Sequence, residues 1–357
     1  MKYILLLTAL LTSGVFASEL DDYKNLADED IVYAQFILGV MYDIGDGVPE
    51  NDAEAVKWYR MAAEQGNADA QFNLGNMYAS GEGVPESDAE AVEWYRKAAE
   101  QGNADAQFNL GIMYTSGEGV LANEQTAVIW YTRAAEQGDA DAQFILGIMY
   151  ANGRGVPENY AEAVKWHRKA AEQGDPSAQY NLALMYANGE GVLANEQTAV
   201  IWYTRAAEQG DKEAQLNLGT IYANREGDPE SAKTAVIWYT MAAEQGSALA
   251  QANLAFMYAN GEGVPENDAE AVKWYRKAAD QGYVKAQTNL GRLYAIGKGL
   301  PENTIRAYVW WSLAKEQGEE TAKRNLAILK TQMTEQQIAQ GQALAIQCYE
   351  SDYKDCD

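Results

Sequence analysis

A strict 36-residue period runs through most of the chain. Alanine recurs at Ala34, Ala70, Ala106, Ala142, Ala178, Ala214, Ala250, Ala286 and Ala322. Trp58, Trp94, Trp130, Trp166, Trp202, Trp238, Trp274 and Trp310 share one slot, leaving Trp311 as the only other tryptophan. Eight complete units therefore occupy residues 34–321 without a linker, and two 20-residue blocks, 120–139 and 192–211, are identical at a separation of two units. A unit this short cannot bury an apolar face alone, so the chain must stack its units against one another.

Each unit reads as two helices. In residues 70–78 Ala70, Leu74, Gly75 and Tyr78 form a helical stripe. A mid-helix glycine costs about 1 kcal/mol against alanine, so Gly75 and its equivalents point to close approach by a neighbouring helix. The loop Gly81-Glu82-Gly83-Val84-Pro85 ends the first helix. Asn51-x-x-Glu54, Ser87-x-x-Glu90, Asn159-x-x-Glu162 and Asn267-x-x-Glu270 open the second with the pattern of a capping box. Ala-Val-x-Trp-Tyr-x-x-Ala-Ala follows, and a glycine closes the unit at Gly66 and every 36 residues after it.

Leu-Gly-x-x-Tyr, Gly-x-Gly-Val, Trp-Tyr-x-x-Ala-Ala and the closing Glu-Gln-Gly resemble the Sel1-like repeat family, relatives of tetratricopeptide repeats with a slightly longer unit. The resemblance covers roughly four-fifths of the chain and implies an all-α fold, a right-handed superhelical α/α solenoid. Departures are local. Ala183 and Ala255 replace the packing glycine, Arg225 the first loop glycine of the sixth unit, and His167 and Trp311 the tyrosine after the repeat tryptophan. The loop at 224–229 is the place where the repeat geometry is expected to fail first.

The two ends read as caps, which a solenoid needs because a terminal unit has no neighbour. Tyr23 and Ala27 fall in second-helix slots, so residues 18–33 read as a half-repeat. Residues 322–357 read as a ninth first helix and a final helix opened by Thr334-x-x-Gln337. Ahead of these, Lys2, the apolar run 4–11 and Val15-Phe16-Ala17 read as a signal peptide, residues 1–17, cleaved after Ala17. Too many polar positions interrupt the run for a membrane span, so no membrane insertion is expected after cleavage. Export implies an oxidising compartment, periplasmic or extracellular, in which Cys348 and Cys356 should pair. Eight residues along one helix would hold them about 12 Å apart, so the helix must turn back near Ser351 and Asp352.

With 52 acidic against 27 basic residues and a net charge of -25, the chain lacks the cations a nucleic-acid surface needs. Its charge is unevenly placed. The eleven residues from each repeat anchor, Ala34 through Ala286, include only Asp43 and Arg292 as charged side chains.

Chemistry is scarce. The one histidine, His167, stands in a helical core slot without a second histidine. Nothing suggests a metal site or a cofactor. Ser312-Leu313-Ala314-Lys315 matches the Ser-x-x-Lys of penicillin-recognising enzymes, and cysteine-rich members of the resembled family have been linked to β-lactam binding or hydrolysis. Its companion Ser-Asp-Asn and Lys-Thr-Gly motifs are absent, so no catalytic residue is assigned.

What remains is a binding surface. In the related tetratricopeptide fold the first helices line the concave face, which by register holds Phe36, Phe72, Phe108, Phe144 and Tyr180, with Val40, Asn76, Ile112, Ile148 and Leu184 one turn on. Asn73 and Asn109 lie beside them, as do Asn181, Asn217, Asn253 and Asn289. Such a ladder suits an extended peptide, although a Phe row at this spacing can equally pack between units. Beyond the fifth unit the row decays to Leu216, Ala252 and Thr288. Only Arg292 is basic, so a carboxylate clamp is not expected. The leading expectation is a non-enzymatic exported scaffold or adaptor for a protein or peptide ligand. The alternatives are an envelope β-lactam-binding or hydrolysing protein and a structural spacer without a specific ligand. The oligomeric state is left open.

Overall fold

The computed structural model describes residues 16–225, 227–354 and 356, with side-chain surroundings from Leu20 onward. The expected leader falls outside these residues, save for the backbone of Phe16 and Ala17. Among the described residues there are nineteen helices and no strand.

After α1 (Phe16–Asp28) the helices alternate as first and second members of each repeat: α2 (Val32–Ile44) and α3 (Asp52–Glu64), α4 (Ala68–Ser80) and α5 (Asp88–Glu100), α6 (Ala104–Ser116) and α7 (Glu124–Glu136), α8 (Ala140–Asn152) and α9 (Tyr160–Glu172). The series continues with α10 (Pro176–Asn188) and α11 (Glu196–Glu208), α12 (Lys212–Ala223) and α13 (Pro229–Glu244), α14 (Ala248–Asn260) and α15 (Asp268–Ala279), α16 (Val284–Ile296) and α17 (Thr304–Glu316). Two helices follow, α18 (Glu320–Lys330) and α19 (Glu335–Glu350). The chain forms two compact units, residues 1–178 with 189–193, and residues 179–188 with 194–357. Within each unit first helices pack on the second helix of their own repeat and second helices on the next first helix, the serial packing of an α/α solenoid.

The core repeats with the sequence. Ala91, Val92, Tyr95, Ala98 and Ala99 of α5 pack with Ala106, Leu110 and Met113 of α6, and Trp130 of α7 closes the cluster. Burying each large member stabilises by about 1.5–3 kcal/mol, so stability resides at the junctions between neighbouring helices. Two glycines show what the period protects. A Cβ on Gly75 would stand 2.7 Å from the ring of Tyr95, so the bare position lets the second helix seat its aromatic ring against the first. Gly83 has φ +68°, and a Cβ there would stand 2.8 Å from Ala53 N, so this loop rests directly on the start of the preceding repeat's second helix.

A polar spine runs beside this core. Gln71, Gln107 and Gln143 are buried, and their Nε2 atoms donate to the carbonyls of Ala63, Ala99 and Ala135 at 2.9, 2.9 and 3.0 Å. Their Oε1 atoms accept from Gln101, Gln137 and Gln173 at 2.7, 2.8 and 2.9 Å. The second unit repeats the arrangement, with Gln245 donating to Gln215 and Gln281 to Gln251. Each buried amide is thereby satisfied twice, which an interior polar group requires.

The capping boxes differ from expectation, while the sixth loop and the C-terminal bridge follow it. At Asn51, Asn159 and Asn267 the side chain accepts from the amide of Glu54, Glu162 or Glu270, but the glutamate does not complete a box. Its carboxylate is taken instead by the lysine three residues on, Lys57, Lys165 or Lys273. Among the described helices the reciprocal box is formed at Thr334 and Gln337. At the sixth loop α13 starts early at Pro229, capped by Asp228, and spans 16 residues. At the C-terminus Cys348 and Cys356 are joined with Cα atoms 4.5 Å apart, and the chain turns through Asp352 and Tyr353 at φ 54° and 64°. Arg306 donates to the Cys356 carbonyl, tying this turn to α17.

Candidate functional site

The first helices place the sequence-selected residues in two rows. Phe36, Phe72, Phe108 and Phe144 are half-buried, and each ring lies beside the second helix of its own repeat. Centroid distances are 6.1 Å to Tyr59, 5.9 Å to Tyr95, 5.8 Å to Tyr131 and 5.7 Å to His167. Each ring thus leans on the core with its remainder facing outward. Tyr180, in the second unit, stands 5.9 Å from Tyr203 in the same way. One turn on, Val40, Asn76 and Ile148 are half-buried, while Ile112 is 39% exposed.

The amides are busier than the sequence suggested. Asn76 Oδ1 accepts from the Tyr95 hydroxyl at 2.7 Å, Asn73 hydrogen-bonds the Tyr59 hydroxyl, and Asn109 that of Tyr95. In the second unit Asn217 serves Tyr180 and Tyr203, and Asn253 serves Tyr239. An open row of amides for a peptide backbone is therefore not what the fold presents. Part of each amide's capacity links a tyrosine to the face, leaving the rest for a ligand. Burial pushes these phenols up, Tyr203 to about 12, so they remain protonated donors at neutral pH. Tyr59 donates to Asp43 Oδ2 at 2.9 Å, and burial raises the Asp43 carboxyl above its ordinary range.

Beyond the fifth repeat the face differs as the decaying row implied. Leu216 and Ala252 are buried, Thr288 is half-buried, and Phe256 is 50% exposed in the slot of Ile112.

His167 is 2% exposed with its Nδ1 unpaired, and burial lowers it to about 4, so it is a neutral core residue. Ser312 and Lys315 both line a cleft of about 940 Å³ with Tyr308, Leu326, Lys330 and Tyr349. Lys315, however, pairs with Glu316 at 2.7 Å, which raises its pKa. A serine-activating lysine must shed its proton near neutral pH, and this pairing works against it. No cluster of metal-ligating side chains is present among the described residues.

The register missed the glutamine spine. Its signal was present as two glutamines per unit, one beside the anchor alanine and one before the closing glycine, recurring in all eight units. An amide held in phase with an apolar stripe points to a buried bond.

Comparison with known proteins fits this geometry. The model for the Sel1 repeat matches eight consecutive stretches, 32–67, 68–103, 104–139, 140–175, 176–211, 212–247, 248–283 and 284–319. A crystal structure of a protective antigen from uropathogenic Escherichia coli, with an SLR fold, is 37% identical over 94% of this chain and 80% of its own, with a TM-score of 0.61. A Sel1 repeat protein from Oxalobacter formigenes is 36% identical over 80% of this chain and 83% of its own, with a TM-score of 0.60. No curated protein matches the chain.

Proposed function

The chain belongs to the Sel1 repeat family, and on that premise we propose that it is a non-enzymatic, exported scaffold that binds a protein or peptide along the face formed by its first helices. The observation that carries this reading is the contrast between faces. Half-buried aromatic rings, an exposed Ile112 and tyrosine-linked amides line the first helices, whereas most of the net charge of -25 lies elsewhere. Such a surface releases water from apolar area on binding and offers a few directional groups for orientation. Residues Phe36, Phe72, Phe108 and Phe144, with Asn73, Asn76, Asn109, Ile112 and Ile148, would contact the ligand, and Tyr180 would offer the same chemistry within the second unit.

Export is supported by the leader pattern and by the Cys348–Cys356 bridge, which persists in an oxidising compartment. No helix among the described residues is long and apolar enough to cross a membrane.

The test exploits exposure. The double variant Ile112→Asp, Ile148→Asp places charge on the proposed face without removing a tyrosine or a phenylalanine from the packing. Ile129→Asp, on a second helix where Ile129 is 52% exposed, is the control. Captured envelope proteins are expected to be lost with the double variant and kept with the control. Retention by the folded double variant would defeat the assignment of this face.

A further inference from the structure

The two ends of the chain are complementary half-repeats. α1 is a second-type helix whose Tyr23, Leu26 and Ala27 occupy the slots of Tyr59, Ala62 and Ala63. Toward α2 it behaves normally, with Ala27 buried and its carbonyl accepting from Gln35 Nε2 at 3.2 Å, the bond Ala63 makes with Gln71. Among the described residues no first helix covers its other side. Leu26 is 43% exposed where Ala62 is 0% exposed, and Tyr23 is half-buried where Tyr59 is fully buried.

α18 is the reverse case. Ala322, Leu326 and Leu329 are buried against α17, as a first helix should be. Lys323, Ala327 and Lys330 occupy slots that hold Gln71, Gly75 and Tyr78 in the second repeat, yet all three are exposed, and Ile328 is 61% exposed. The helix that continues the series, α19, packs on α17 instead, where a Cβ on Gly341 would stand 2.7 Å from the Tyr308 ring. Among the described residues α1 is therefore a second helix lacking a first, and α18 a first helix lacking a second.

We propose that a second copy of this chain fills the gap, α1 of one molecule docking on the open side of α18 of another to complete a composite ninth repeat. Charge favours the pairing: Asp21, Asp22 and Asp28 outnumber Lys24 on α1, and Lys323, Arg324 and Lys330 outnumber Glu320 on α18. Lys330 reaches over the Tyr308 ring at 5.3 Å, beside the cleft where a carboxylate could meet it. Tyr23 would stack on Ala327, and the natural alanines at the equivalent positions 183 and 255 show that the slot accepts a methyl group. The contact is heterologous, because it joins unlike surfaces, so association does not stop at two molecules.

Sedimentation of the leader-free, disulfide-bonded chain over a wide concentration range tests this. The weight-average mass is expected to rise past twice the monomer at low salt and to fall back at high salt. Leu26→Asp and Ala327→Glu should each abolish the rise, and a mixture of the two should give one dimer and nothing larger, because only one pair of intact ends remains. The reversals Glu29→Lys and Lys323→Glu, at exposed positions whose slots hold the bonded pair Gln101 and Gln71, should each weaken association and together restore it. A chain that stays monomeric throughout, a wild type that stops at a dimer, or a mixture of end variants that remains monomeric would overturn the proposal.

Discussion

His167 stands in a slot that is tyrosine in six repeats, and its burial gives the protein a local sensitivity to acid. Folded, it holds its proton only below about 4, against an ordinary 6.5, so the unfolded chain binds the proton more readily. Its neutral form therefore supports the fold above 6.5, and that support is lost as pH falls towards 4, by up to about 3 kcal/mol. Urea titrations of wild type and His167→Tyr should diverge across this window, with the wild type losing more stability. Parallel pH profiles would refute the burial account. The glutamine spine is a second residue-scale case. Gln107→Ala removes one of two partners from Ala99 O and from Gln137 Nε2, each of which keeps a bond to Gly102, and is expected to cost about 1–2 kcal/mol by denaturant unfolding. Sequence register located both residues but read only one. A lone histidine in a tyrosine slot announces burial, whereas which carbonyl a glutamine reaches depends on how two repeats stack.

At the scale of the element, the loop and helix glycines separate two kinds of close approach. Gly75 faces an aromatic side chain that can shift, and alanine already stands in its slot at Ala183 and Ala255. Gly75→Ala should therefore cost no more than about 1 kcal/mol, since helix propensity returns part of the packing loss. Gly83 combines φ +68° with a backbone neighbour that cannot shift alone, and Gly83→Ala should cost about 2–3 kcal/mol. Similar unfolding midpoints for the two variants would contradict this division. The C-terminal bridge acts on one element as well: reducing it should speed amide exchange in the last turn of α19 and around Tyr353 while leaving the distant repeats unchanged, as nearest-neighbour packing implies. Helix positions were legible because period and caps repeat together. The early start of α13 was not, because Asp228 supplies a cap outside the repeat pattern, and neither was the placement of α19 on α17, which leaves the period altogether.

For the whole molecule, the repeat assigns opposite characters to its two helix sets. Second helices, loops and ends carry most of the acidic excess, and the stretch of each first helix after its anchor alanine is left nearly uncharged. The fold was readable almost entirely from the period, and the candidate face from its register. What register could not reveal was how much of that face the protein uses on itself, through the Phe36–Tyr59 and Asn76–Tyr95 contacts and their equivalents. Site-specific photo-crosslinking tests the central claim most directly, with the photoreactive side chain introduced at Ile112 on α6 or at Ile129 on α7 in otherwise wild-type protein. Crosslinks to a bound protein from Ile112 and none from Ile129 are expected; crosslinks from Ile129 alone would place the binding surface on the second helices and contradict the scaffold face described above.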